Sequence, residues 1–112
     1  MAYWKKQLPN PPYYAVIFIS TRSNELEGYA EMDELTLRLA TESEGFIGYE
    51  SIKSGNQGIF ISYWENEEAI ERWKHHPVHL EAKQKGFTLW YEKFISQVCL
   101  VQSSREHLLQ GK

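Results

Sequence analysis

The sequence predicts an α+β domain with the ferredoxin-like order β-α-β-β-α-β, in which an antiparallel sheet carries both helices on one face. Three observations lead to this fold class. Strand-like and helix-like segments alternate in this order, a short turn joins the two middle strands, and the last strand is unusually long. The chain has 112 residues, of which 42% are hydrophobic and 24% charged, as expected for one globular domain.

The first strand and the first helix follow from two different hydrophobic patterns. Residues Tyr13–Thr21 are apolar and β-branched in succession, which is typical of a strand covered on both faces or at a subunit contact. Over Tyr29–Ser43 the apolar residues recur at three- and four-residue spacing, which predicts an amphipathic helix. Gly45 can adopt the left-handed conformation that ends such a helix.

The middle of the chain predicts a hairpin. Phe46–Lys53 and Gly58–Trp64 both have the composition of strands, and the turn between them, Ser54–Gln57, is short. Because so short a connection joins neighbouring strands that run in opposite directions, we expect this pair to be antiparallel.

The second helical region is predicted in two pieces. Asn66 is a good N-cap for the first piece. Pro77 cannot continue the hydrogen bonding of a helix but can open a new one, so we expect a break near His75–His76. The second piece is expected to run to Lys85 and to end at Gly86.

The final predicted strand, Trp90–Gln102, is about twice the usual length. Both of its faces are partly apolar. One face carries Tyr91, Ile95, Cys99 and Val101, and the other carries Trp90, Phe94, Val98 and Leu100. A single four-stranded sheet cannot cover both faces, whereas a second copy of the chain can, and pairing would also remove exposed strand edges. The sequence therefore predicts a two-fold symmetric homodimer.

The domain is expected to span residues 13–102, between two flanking segments. Residues 1–12 hold three of the four prolines and predict an extended arm, because proline donates no hydrogen bond to a sheet. Residues 103–112 are polar and predict a frayed tail.

Two features bear on the location of the protein. The longest wholly apolar run, Ala15–Ile19, is too short to cross a membrane, and no apolar export signal follows the lysines near the N-terminus. The single cysteine, Cys99, cannot form an internal disulfide, which fits a reducing compartment. We therefore expect a cytoplasmic protein that has no membrane partner.

Charge and aromatic content narrow the classes of partner. The net charge is −3, and the twelve basic residues are scattered, which argues against nucleic-acid binding through phosphate attraction. Phe, Tyr and Trp make up 14% of the chain, more than one small core needs. We expect the surplus rings to line a pocket, a subunit interface or both.

The most concentrated group of ionisable and aromatic side chains lies between Trp73 and His79 and includes His75 and His76. One hypothesis makes His76 or His79 a general base, since imidazole titrates near neutral pH. The pocket walls in this hypothesis are the rings of Trp64, Trp73 and Trp90. A metal site is the second interpretation, although zinc needs three or four ligands and no second ligand cluster follows. In the third, the histidines cap a helix break and face water.

Other sequence patterns add no catalytic site. Glycine motifs for nucleotide phosphates and the Gly-x-Ser-x-Gly motif are absent from the sequence. Cys99 lies within an apolar strand, as a buried inert thiol would. Packing alone can also explain two of the tryptophans. Trp73 lies on the apolar stripe of its helix, and Trp64 can act as a lid over the core.

Several stretches resemble the antibiotic biosynthesis monooxygenase (ABM) domain family. The matching segments are Gly45–Ser51, Ser62–Ile70 with the following Trp73 and His79, and Trp90–Glu92 with the apolar strand after it. Their order and spacing match the family, and the resemblance covers about residues 13–102.

This resemblance implies a dimeric α+β barrel, in which two ferredoxin-like sheets face each other and the long last strand reaches into the partner. It also implies a pocket between the sheet and the helices. Some members oxygenate polycyclic aromatic phenols without metal or flavin: the substrate loses a proton, and its own anion reduces dioxygen. For this chain the resemblance implies a cofactor-independent monooxygenase acting on a small aromatic or quinol-like compound.

Two alternatives stand beside that function. Other relatives degrade haem with an Asn on the first strand, a Trp on the second helix and a His farther along. Here Trp73 matches the Trp, Lys83 occupies the His position, and Tyr13–Thr21 contains no Asn. Haem would therefore need His76 or His79 as its ligand. The second alternative is a non-catalytic or stress-associated dimer that holds a hydrophobic ligand.

Overall fold

The computed structural model describes residues 1–110, which form a five-stranded antiparallel sheet with three helices. The strands are β1 (Ala2–Trp4), β2 (Tyr13–Arg22), β3 (Phe46–Ser54), β4 (Gln57–Trp64) and β5 (Tyr91–Val101). The helices are α1 (Tyr29–Thr41), α2 (Glu67–Lys74) and α3 (Pro77–Lys85), and a π-helical turn, Gly86–Trp90, joins α3 to β5. The strand order is β1-β3-β4-β2-β5. This architecture confirms the predicted α+β ferredoxin-like class.

Gly45 sets the turn from α1 into β3. Its φ of 86° lies in the left-handed region, as predicted. It also lies against α2, because a Cβ atom at this position would come within 2.5 Å of the Cβ of Ala69. The position therefore needs glycine both for its backbone and for the close approach of α2.

The break between α2 and α3 is built from two caps, and it confirms the predicted interruption. The Asn66 side-chain oxygen accepts a hydrogen bond from the Ala69 amide at 2.8 Å, which caps α2. Pro77 opens α3, and Nδ1 of His76 accepts from the Val78 amide at 3.1 Å.

Helix α3 ends at Lys85 as predicted, but the chain beyond it differs from the prediction. Gly86 was expected to end the helix, but its backbone stays helical and the chain continues through the π-helical turn. Contacts with the loop before α1 hold this turn, because the Ser23 amide donates to the Trp90 carbonyl at 2.7 Å and the Ser23 hydroxyl to the Leu89 carbonyl at 2.5 Å. Strand β5 consequently begins at Tyr91, one residue later than predicted.

A register shift changes which face of β5 carries Tyr91. Phe94 pairs with Ser20, but Tyr91 pairs with Arg22, so one residue of β5 is left over between them. Both Tyr91 and Phe94 therefore face the helices. Simple alternation placed Tyr91 on the same face as Ile95, and the bulge makes that assignment wrong.

The N-terminal arm contributes a strand that the prediction missed. Residues 2–4 pair with β3, and Trp4 lies opposite Gly48. The Trp4 ring stacks on Tyr63 with 5.2 Å between ring centroids. A side chain at position 48 would collide with that ring, since its Cβ would lie 2.4 Å from a ring carbon of Trp4. The prolines that suggested an unpaired arm lie after this strand.

The core lies at the end of the sheet where β2 starts and β4 ends. Its buried members come from α1, α2, β3 and β4, and they are Ala40, Phe46, Tyr49, Trp64, Ala69 and Ile70. The chain after β5 forms no helix or strand up to residue 110. Residues 111 and 112, at the end of the predicted tail, lie outside the described residues. Among residues 1–110, no helix has the length and hydropathy needed to cross a membrane.

Replacing Gly45 with Ala should destabilise the fold more than the same change at Gly55. Both glycines have positive φ, but only Gly45 has a neighbour within 4 Å of the added Cβ. We expect Gly45→Ala to lower the free energy of unfolding by about 2–4 kcal/mol and Gly55→Ala by about 1 kcal/mol. Urea unfolding measures both changes. Equal losses would show that the contact with α2 at Ala69 does not constrain the turn.

Candidate functional site

A cavity of about 480 Å³ lies between the sheet and the helices. All three helices and strands β2, β3, β4 and β5 contribute to its walls. Eight aromatic rings line it, those of Phe18, Tyr29, Phe46, Phe60, Trp64, Trp73, Tyr91 and Phe94. The surplus of aromatic residues thus serves a cavity of the size that small-molecule sites have in other proteins.

One end of the cavity is closed by the core around Trp64. This residue is only 1% exposed, and its ring meets that of Phe46 edge-on at 5.2 Å between centroids. The indole Nε1–H donates to the Ser62 hydroxyl at 2.9 Å. Because the indole donor is satisfied, Trp64 can present its flat apolar surface to the cavity without leaving a polar atom unpaired. It is both the lid of the core and a cavity wall.

His79 brings a titratable group to this apolar end. It lies on α3 and lines the cavity, and its ring is 5.2 Å from that of Trp73 between centroids. Its Nδ1 atom is buried and has no hydrogen-bond partner among residues 1–110. Buried ring nitrogens are normally paired, so packing alone leaves a polar atom of His79 unsatisfied beside the cavity.

The surroundings of His79 keep its imidazole neutral. Burial lowers the pKa of His79 from 6.5, and the nearby charges of Lys83, His76 and Lys74 add to the shift, while the main chain of Lys74 opposes it. A neutral imidazole has one ring nitrogen with a lone pair. At neutral pH, His79 can therefore accept a proton from a ligand in the cavity.

The predicted site residues divide into two groups. Trp64, Trp73 and His79 all line the cavity. His76 does not line it, because its Nδ1 caps α3, although its ring lies 5.3 Å from that of Trp73. Trp90 is also outside the lining: it is buried behind the wall, where its Nε1–H donates to the Glu27 carbonyl at 3.0 Å.

The opposite end of the cavity is polar, and the sequence reasoning missed it. Arg22, Lys53 and Asp33 line this end together with the phenols of Tyr29 and Tyr91. The Lys53 ammonium lies 3.6 Å from the Asp33 carboxylate and 5.2 Å from the centre of the Tyr29 ring. The sequence could have indicated Arg22, because side chains alternate along β2 and every second residue up to Arg22 faces the helices.

The phenol of Tyr91 at the polar end is held in its protonated form. Burial raises the pKa of Tyr91, and the neighbouring Tyr29 raises it further through charge and hydrogen bonding. The Tyr91 phenol can therefore donate a hydrogen bond to a ligand.

The side chains present do not match the haem-binding set of the resemblance. Lys83 lines the cavity at the position where those relatives have His, and β2 contributes Val16, Phe18, Ser20 and Arg22 to it rather than an Asn. No group of three or more His, Cys, Asp or Glu side chains within residues 1–110 is arranged to hold a metal ion.

Comparison with known proteins identifies the family. The model of the antibiotic biosynthesis monooxygenase family matches residues 12–85. The chain belongs to this family. The ABM resemblance of the sequence motifs is thereby confirmed, and the match ends at the last residue of α3.

The chain is also similar in sequence to one relative and in structure to two solved proteins. The uncharacterized protein YqjZ of Bacillus subtilis (strain 168) is 44% identical over 98 residues, covering 87% of this chain and 86% of the relative. Protein SO0527 of Shewanella oneidensis has a TM-score of 0.73 at 11% identity, covering 85% of this chain and 96% of that one. SnoaB, a cofactor-independent oxygenase of Streptomyces nogalater, has a TM-score of 0.66 at 16% identity, with coverages of 88% and 98%. At these identities, the two structures establish a shared fold.

The pKa of His79 should be measurably low. We expect its ring protons, followed by NMR, to titrate with a midpoint below 6.5. Lys83→Gln should raise the midpoint by removing a nearby positive charge, whereas Lys85→Gln, whose ammonium pairs with Glu81, should leave it unchanged.

Protein stability should follow the same titration. The unfolded chain binds the His79 proton more readily than the folded chain, so the free energy of unfolding should fall as the pH drops below 6.5. His79→Gln should remove this part of the dependence. An NMR titration midpoint for His79 at or above 6.5 would contradict the burial of its ring.

Proposed function

We propose that the protein is a cofactor-independent monooxygenase that oxidises a small aromatic or quinol-like compound with dioxygen. The observation that carries the proposal is the His79 imidazole, which lines an aromatic cavity and whose pKa is lowered by burial. ABM membership makes an oxygenase the natural function class. The name of SnoaB as a cofactor-independent oxygenase adds support from a protein of the same fold.

The first step of the proposed reaction is proton transfer to His79. A phenol or quinol between the rings of Trp64 and Trp73 would present an acidic proton to the imidazole. The neutral imidazole accepts it, and the resulting imidazolium lies next to the new substrate anion. Attraction between these two charges within the apolar cavity would favour ionisation of the substrate.

The second step uses the anion as the reductant. An electron-rich ring carbon transfers an electron to dioxygen, and the two radicals combine in a new carbon–oxygen bond. His79 returns its proton to the resulting peroxide, which loses water and leaves a carbonyl group. For a CH₂ group between two rings, the balance is R₂CH₂ plus O₂ giving R₂CO plus H₂O. The substrate supplies all four electrons, so the reaction needs no separate reductant.

The remaining predicted site residues receive supporting roles. We propose that His76 acts as a positioning residue, since it caps α3 and its ring contacts Trp73. Trp90 supports the wall from outside, because its ring packs edge-on against that of Tyr29 at 5.5 Å between centroids. These contacts hold the rings that would orient the substrate.

We further propose that the working protein is a homodimer. The sheet face opposite the helices carries a row of isoleucines paired across four strands, namely Ile52, Ile59, Ile19 and Ile95. They are 43–71% exposed. A continuous apolar row of this kind favours contact with a second copy. The cytoplasm remains the proposed location, on the ground that the sequence has only one cysteine, Cys99.

Oxygen consumption tests the proposed reaction. With 1,8-dihydroxyanthrone as the probe, the wild-type protein should consume one O₂ per anthrone and form the anthraquinone. His79→Gln should lower kcat by about 100-fold or more, because the general base is lost. His75→Gln is the matched control, since His75 lies outside the cavity, and its rate should equal that of wild type. The wild-type rate should decline at acid pH with a midpoint below 6.5, as His79 becomes protonated.

Three results would contradict this function. Equal rates for His79→Gln and His75→Gln would remove His79 as the base. Tight binding of the anthrone without oxygen consumption would favour a binding protein. A Soret shift on titration with micromolar haem, lost in His79→Gln, would favour the haem-degrading alternative.

The dimer is tested by replacing one member of the isoleucine row. Sedimentation of the wild-type protein should give twice the chain mass of 13.2 kDa. Ile19→Glu should shift it to the monomer, because the charge would be buried without a partner. Leu108→Glu, at an exposed apolar residue in the tail, should leave the dimer intact. A wild-type monomer at micromolar concentration would refute the proposed assembly.

A further inference from the structure

We propose that the polar end of the cavity binds a carboxylate, so that the ligand of this protein is an elongated aromatic acid. The site is centred on Arg22 and Lys53, across the cavity from the wall formed by Trp64. This inference rests on the proposed function only in taking the cavity as the substrate site. It assigns the chemical class of the substrate and the residues that select it.

The charges on the cavity wall are opposite in sign to those of the whole chain. The chain has a net charge of −3. Four cationic side chains nevertheless line the cavity: Arg22, Lys53, Lys74 and Lys83. Among residues 1–110, the carboxylate that lines it is Asp33 alone. An anion entering the cavity therefore meets an excess of positive charge, and the low-polarity walls strengthen that attraction.

Arg22 is held in a position to bind an anion. Its Nη2 donates to the Gly55 carbonyl at 2.5 Å, and its guanidinium lies 5.9 Å from the centre of the Tyr29 ring. The residue is only half-buried, and it makes no ion pair with a carboxylate of residues 1–110. A guanidinium has five N–H donors, so most remain for a carboxylate, which it can bind in bidentate fashion.

The neighbouring groups complete the site with donors. Lys53 pairs loosely with Asp33 at 3.6 Å, so its ammonium retains donors for a second anion. The phenols of Tyr29 and Tyr91 lie beside Arg22, and burial raises the pKa of Tyr91, which keeps that phenol protonated. Two cations and two phenols would thus surround one carboxylate. A neutral ligand would leave the two cations without a charged partner.

Strand geometry requires the ligand to be elongated. The rings of Phe18 and Phe60 form a cross-strand pair in the middle of the cavity. Phe18 lies four residues before Arg22 on β2, which corresponds to roughly 13 Å along the strand. The Phe18 ring lies only 5.3 Å from that of Tyr91 at the polar end, but Trp64 pairs with Tyr14, eight residues before Arg22, or roughly 26 Å along the strand. An acid held at Arg22 must therefore be long to approach the wall formed by Trp64 and His79. The aromatic walls favour fused rings over an aliphatic chain.

Binding of two matched probes tests the site. Anthracene-2-carboxylate and anthracene-2-carboxamide have nearly the same shape but differ in charge, and the anthracene fluorescence reports their binding. We expect the wild-type protein to bind the carboxylate about tenfold more tightly or better, as expected for charge-assisted hydrogen bonds. Dodecanoate, an aliphatic acid, should compete weakly with it.

Variants identify the groups responsible. Arg22→Gln and Lys53→Gln should each weaken carboxylate binding about tenfold and leave carboxamide binding unchanged. Arg22→Lys should retain part of the preference. Lys85→Gln removes the same charge outside the cavity and should change neither affinity. Thermal unfolding of each variant shows whether it is folded. If Arg22→Gln does not fold, Lys53→Gln still tests the site.

Three outcomes would overturn the inference. In the first, the wild-type protein binds the two anthracene probes with equal affinity. In the second, Arg22→Gln and Lys53→Gln weaken the binding of both probes equally. In the third, dodecanoate binds more tightly than the aromatic acid. The test is separate from that of the reaction. His79→Gln should keep the preference for the carboxylate, so a protein without oxygenase activity can still confirm the anion site, and an active oxygenase can still lack it.

Discussion

The cavity exists because the buried core fills only one end of the space between the sheet and the helices. Trp64 and Phe46 meet edge-on there, and Ala69 and Ile70 of α2 cover them. The short side chain of Ala69 and the missing side chain of Gly45 allow α2 to approach the end of α1 closely. Toward the other end of β2 and β4, the helices no longer supply side chains that fill the gap. The open space that results is the proposed binding site.

This unequal filling also creates the electrostatic contrast along the cavity. At the filled end, burial deprives His79 of water and lowers its pKa, which leaves a neutral imidazole against an indole ring. At the open end, Arg22 and Lys53 project into the cavity with few carboxylates to balance them. A proton acceptor and an anion site therefore lie at separate positions in one cavity. A ligand that satisfies both must carry rings and a charge at defined spacing.

The order of elements and their ends were largely predictable because they depend on local chemistry. Asn66 and Pro77 have few alternatives to the helix starts that they form, and Gly45 has the positive φ expected of it. Features that depend on distant contacts were missed. Strand β1 forms because Gly48 leaves room for Trp4, and the π-helical turn is held by Ser23. Neither contact leaves a periodic pattern in the sequence.

The candidate site was partly predictable for the same reason. The concentration of rings and histidines indicated a pocket, and Trp64, Trp73 and His79 do line it. The choice between His76 and His79 required tertiary structure, because it depends on which imidazole is used as a helix cap. Tyr91 was assigned to the wrong face because a bulge interrupts the alternation of β5.

A crystal structure with 1,8-dihydroxyanthraquinone, the oxidised product of the anthrone probe, tests the central claim most directly. The rings should lie in the cavity between Trp64 and Trp73, with a ligand oxygen within hydrogen-bond distance of a ring nitrogen of His79. The account would be contradicted by a ligand bound outside this cavity. It would equally be contradicted by a ligand inside it whose oxygens make no contact with His79.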